Sequence, residues 1–118
     1  MPEKGFVVEG NYVSKFLDDK LTAIGLNSRE KQDFISYWGP ELCKNKLNQV
    51  SFIFADEYDK EIGKLKSSVP IDTEIRVFMI YKAIDSPIDI EEQVLPSYER
   101  KGFTIVEWGG GEVLHPSL

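Results

Sequence analysis

The run Ile75-Arg76-Val77-Phe78-Met79-Ile80-Tyr81 decides the fold class. It is rich in β-branched, aromatic and long apolar residues, and apolar side chains fall on both alternating sets in its middle, as in a central strand. Upstream, Val50, Phe52 and Phe54 alternate with Ser51 and Ile53, which predicts a strand with one face packed inward and the other partly covered. Downstream, Asp85-Ser86-Pro87 breaks the pattern, residues 88–94 predict a short edge strand, and residues 103–108 predict a last strand. Gly109-Gly110-Gly111 is expected to end that strand. Residues 61–69 fit a helical turn or a short strand equally and stay open.

Nearer the N-terminus, Gly5-Phe6-Val7-Val8-Glu9-Gly10 reads as a first short strand. Val13, Phe16, Leu17, Leu21 and Ile24 then recur at spacings of three and four, so they share one helical face. This helix is expected over residues 12–24, with Asn11 as its N-cap and Gly25 ending it. Asn27 and Glu30 have the spacing of a capping box for a second helix. Phe34, Ile35 and Trp38 supply its apolar stripe, and Gly39-Pro40 is expected to stop it. The tight link between the helices predicts a hairpin or a steep corner. Helices precede most strands and no strand–helix alternation recurs. The fold class is therefore α+β, with an N-terminal strand and a two-helix hairpin packed on an antiparallel sheet of about four or five strands.

A chain of 118 residues fits one domain, here with its core over residues 5–110 and a tail over residues 111–118. The net charge of −6 opposes sequence-independent nucleic-acid binding, which depends on cations displacing counterions from phosphates. No apolar run approaches the roughly 20 residues a transmembrane helix needs, and the start lacks the layout of a signal peptide.

The parts for most catalytic chemistry are scarce. His115, the only histidine, stands near the C-terminus, so a histidine zinc site or a Ser-His-Asp relay lacks its members. Cys43, the only cysteine, has no internal base and cannot form an internal disulfide. The glycine run lacks the Lys-Ser/Thr pair of a phosphate loop. The acidic clusters at residues 56–61 and 85–92 lack the spacing of an EF-hand and read as solvated charge. No cofactor is expected.

Trp38 lies on the stripe of the second helix and reads as core, whereas Trp108, at the end of a strand against glycine, either caps the core or faces a partner. Arg76 and Glu107 each interrupt an apolar strand, and a structural ion pair between them is expected if those strands adjoin.

The succession Gly5-Phe6-Val7-Val8, Phe16-Leu17, Lys20-Leu21, Gly25-Leu26-Asn27, Glu30, Phe34-Ile35 and Tyr37-Trp38 resembles an uncharacterised bacterial domain family. So do Ile75-Arg76-Val77-Phe78-Met79, Pro87-Ile88 and the contiguous Arg100-Lys101-Gly102-Phe103-Thr104-Ile105-Val106-Glu107-Trp108-Gly109-Gly110. Trp38-Gly39-Pro40 departs from the family pattern, which places a leucine between tryptophan and proline. The resemblance implies an exported or surface-associated protein, mostly of Gram-positive bacteria, without assigned enzymatic activity. Members often carry a longer β-rich segment upstream, which implies that this chain is part of a larger protein.

The leading expectation is a non-catalytic module that binds another protein or a cell-envelope component, or its own upstream segment. Its expected contact patch is Trp108, Gly109 and Gly110 flanked by Arg100 and Lys101, because tryptophan and arginine are favoured interface anchors. The alternatives are a carboxylate-dependent hydrolase acting on a polysaccharide or peptidoglycan, and a structural assembly domain.

Overall fold

The computed structural model describes residues 1–54 and 72–114. The elements run β1 (Lys4–Glu9), α1 (Val13–Ile24), α2 (Ser28–Cys43), β2 (Leu47–Phe54), β3 (Thr73–Ile84), β4 (Glu91–Glu92) and β5 (Thr104–Glu112). The five strands form one sheet in the order β4-β1-β2-β3-β5, and both helices lie against one of its faces. The fold is α+β.

The core forms where the periodicities meet. Val13, Leu17, Leu21 and Ile24 of α1 and Phe34 and Leu42 of α2 are buried against Phe6, Val50, Phe52, Ile75, Val77 and Met79 of the sheet. Alternate residues of β3 face away from the helices, among them Arg76 and Phe78.

The sheet is mixed, which corrects the antiparallel expectation. β2 runs against β1 and β3, but β4 pairs parallel to β1 and β5 pairs parallel to β3. The chain leaves β3, crosses to the far edge to form β4, and returns to begin β5 beside the start of β3. Two non-helical connections, over residues 85–90 and 93–103, thus do what crossover helices do elsewhere, so the absence of strand–helix alternation did not exclude parallel pairs. Along the first of them, β4 covers only Glu91–Glu92 of the edge strand expected over residues 88–94. Next to it, the Gln93 side chain accepts from the Phe52 N–H at 2.9 Å and donates to the Phe52 carbonyl at 2.5 Å.

Several boundaries move for identifiable reasons. Asn11 is not a helix cap: residues Gly10–Tyr12 form a 3₁₀ turn, and the Gly10 carbonyl accepts the Val13 amide directly. Gly25 ends α1 at φ +123°, and Asn27 with Glu30 forms the capping box of α2 at 2.8 and 2.9 Å. Gly39-Pro40 does not stop α2, which continues to Cys43. Proline removes one donor in the last turn, but fully buried Leu42 anchors that turn, and the amide of buried Asn48 donates to the Leu42 carbonyl at 3.0 Å. Nor do the glycines end β5, which runs through Gly109, Gly110 and Gly111 in register with Phe78, Met79 and Ile80 into the expected tail. A Cβ on Gly110 would stand 2.3 Å from the Met79 carbonyl oxygen, so at that position the absent side chain permits the pairing. The open reading of residues 61–69, the acidic cluster at residues 56–61 and His115 lie outside the described residues.

Candidate functional site

Arg76 and Glu107 are register partners on β3 and β5, and Arg76 Nη2 lies 2.9 Å from the Glu107 carboxylate. Glu74 stands 3.3 Å from Arg76 Nε, and the guanidinium side chain is only 7% exposed. This group sits on the sheet face turned away from the helices.

Arg100 is committed elsewhere. Its guanidinium grips the Glu30 carboxylate at 2.5 and 3.1 Å and donates to the Gly25 carbonyl at 3.1 Å, tying the last connection to the corner between the helices. Partial burial pushes the Glu30 carboxyl up, but the hydrogen bonds from Arg100 and the Asn27 amide, with the Arg100 charge, outweigh it and hold the group below its ordinary value. Lys101 is fixed by its backbone, whose N–H donates to Thr73 Oγ1 at 2.8 Å, while its exposed ammonium lies 3.8 Å from Glu99. The ring of Trp108 meets Phe34 and Tyr37 instead, at centroid distances of 5.2 and 5.9 Å.

Trp108, Gly109 and Gly110 belong to a different surface, the outer edge of β5. The Phe103 carbonyl accepts from the Thr73 amide and the Val113 amide donates to the Tyr81 carbonyl, so odd-numbered residues of β5 turn their backbone polar groups toward β3. Thr104, Val106, Trp108, Gly110 and Glu112 therefore aim theirs outward, where no strand among the described residues pairs with them. None of the nine residues of β5 is fully buried, and Gly110 and Glu112 are exposed.

Helix α2 forms a wall beside that edge. Tyr37 is 63% exposed and sits edge-on to Trp38 at 4.9 Å, so Tyr37, Trp38 and Trp108 form one aromatic group. The Trp38 ring lies 3.2 Å from where a Gly110 Cβ would stand, and its buried indole N–H finds no acceptor among the described residues. At the far end, Tyr81 faces the helices in register with Glu112. Burial, and then the negative charges of Glu112 and Glu41, push its phenol pKa up.

Sequence reasoning singled out Trp108 and Gly110 but missed Tyr37, Glu41 and Glu112 as parts of the same edge. The i, i+4 spacing of Tyr37 and Glu41 was a usable signal, since it places them on one flank of α2.

A second surface is an open cleft of about 870 Å³ where α2 ends and β2 begins, lined by Glu9, Lys44, Lys46 and Asp85 among others. Cys43 borders it, with its thiol donating to the Pro40 carbonyl at 3.3 Å. Among the described residues no group of three or more His, Cys, Asp and Glu could hold a metal ion, and no helix is long and apolar enough to cross a membrane. Comparison with protein-family models, with curated proteins and with solved structures returns no match.

Proposed function

We propose that the chain is a non-catalytic protein-binding module that takes up an extended segment of another polypeptide as a further strand beside β5. The outward backbone groups of β5 next to the half-exposed aromatic group carry this reading. A bare edge invites pairing with any extended chain, and proteins usually blunt one with lysine, proline or a bulge. β5 contains no lysine or proline, and its register with β3 is uninterrupted. In strand addition the backbone supplies affinity and alternate side chains supply specificity, the second role falling here to Tyr37, Trp38 and Trp108. The family resemblance adds that the module works as part of an exported bacterial protein.

Selection of a displayed random dodecapeptide library on the immobilised chain tests the reading. The expected binders alternate apolar and polar residues, and Tyr37→Ala weakens them about tenfold while leaving the fold intact, because an exposed aromatic anchor contributes to an interface rather than to the core. Trp108→Ala is the poorer probe, since its ring packs on fully buried Phe34. No enriched peptide, or binders indifferent to Tyr37→Ala, would overturn the proposal.

A further inference from the structure

Resting on that reading, we infer that the partner segment runs antiparallel to β5, the more stable of the two pairings, and carries, in order, a lysine or arginine opposite Glu112, an aromatic residue opposite Gly110 and an aliphatic residue opposite Trp108. Each outward-facing residue of β5 would exchange two backbone hydrogen bonds with the residue opposite, and in an antiparallel pair those two side chains share a face. Here that face is the one bearing α2, because Glu112, Gly110 and Trp108 are in register with Tyr81, Met79 and Val77, which lie beneath the helices.

The chemistry of each position follows from what waits there. Opposite Trp108, the incoming side chain meets Trp108 and the exposed flank of Tyr37, an apolar surface that suits a branched aliphatic group. Opposite Gly110 no side chain competes for space, and an aromatic ring laid across a glycine covers exposed backbone and the Trp38 edge behind it. Opposite Glu112 the incoming side chain meets an exposed carboxylate that stands in register with Tyr81, and no cation of β5 offsets it, so a cation is wanted.

The same charge argument disfavours a second copy of this chain as the occupant. β5 contains no lysine or arginine to set opposite Glu112, and two copies would meet with a net charge of −6 each.

Three blocked, fluorophore-labelled peptides measured by anisotropy separate the outcomes: Lys-Thr-Phe-Thr-Val-Thr, its charge-reversed form Glu-Thr-Phe-Thr-Val-Thr, and the lysine peptide N-methylated at phenylalanine. The lysine peptide is expected to bind the wild-type chain at least tenfold more tightly than the glutamate peptide, and N-methylation is expected to abolish binding. Glu112→Lys, at an exposed position, should reverse the preference between the two charged peptides. Equal binding of both charged peptides with N-methylation still harmful overturns the inferred partner chemistry and leaves strand addition standing. Indifference to N-methylation, or no binding by either charged peptide, overturns strand addition itself. A dimer in sedimentation that the lysine peptide dissociates would make a second copy the occupant, against the inference.

Discussion

Arg100 shows how much of this fold rests on a single side chain reaching across the chain. Its partner Glu30 is also the reciprocal member of the α2 capping box, so one carboxylate serves Arg100 and the Asn27 amide together. Nothing local in the sequence announces this contact, because the partners lie 70 positions apart. Arg76 and Glu107 differ: each charge interrupts an apolar run, a pattern visible without coordinates, and they sit side by side on β3 and β5. Replacing Arg100 by alanine should cost about 1–2 kcal/mol of stability near neutral pH, at the lower end for charged hydrogen bonds because the pair is partly solvated. The pH dependence carries a defined sign. The folded-state pKa of Glu30 is depressed, so its stabilisation is present above the ordinary glutamate value and is lost as pH falls through the lower folded-state value. Urea melts across that acid range should show the gap between wild type and Arg100→Ala closing as pH falls. A gap constant with pH would show that Arg100 acts through packing alone.

Local rules read the elements well where the interaction itself is local. The capping box joins residues three positions apart, and the α1 stripe repeats within one helix, so both were legible. They failed where tertiary contacts outweigh propensity: buried Leu42 carries α2 past Pro40, and the β3 ladder carries β5 through three glycines. Those glycines are not equivalent. An added methyl at Gly110 meets the Met79 carbonyl oxygen at 2.3 Å, a backbone atom that cannot step aside, whereas one at Gly111 meets nothing within 4 Å among the described residues. Gly110→Ala should therefore destabilise the domain by about 1–3 kcal/mol, as overpacking does. Gly111→Ala should be neutral or stabilise by up to about 1 kcal/mol, through the smaller entropy of its unfolded chain. Thermal melts of the two variants check the contrast, and equal effects would show that the glycine run is needed as a whole rather than at one close approach.

At the scale of the molecule, strand direction and strand order were beyond reach of the sequence, because neither is a property of any one segment. β2 alone opposes the other four strands, and that follows only from the path of the connections. Which strand lies at an edge is equally non-local, and so Tyr37, Glu41 and Glu112 could not be grouped with Trp108 before β5 was placed beside α2. The edge has a signature that needs no ligand. The amides of Ile105, Glu107, Gly109 and Gly111 in β5, and of Val113 just past it, point to β3, while those of Val106, Trp108, Gly110 and Glu112 point outward. Hydrogen exchange followed by NMR should thus alternate along β5, with the first set protected and the second exchanging rapidly, since protection requires a hydrogen-bond partner or burial. Binding of the lysine peptide should slow the outward set selectively and leave the inward set unchanged. Uniform protection along β5 in the free chain would mean that its outer edge is already covered, and the surface on which strand addition depends would not be open.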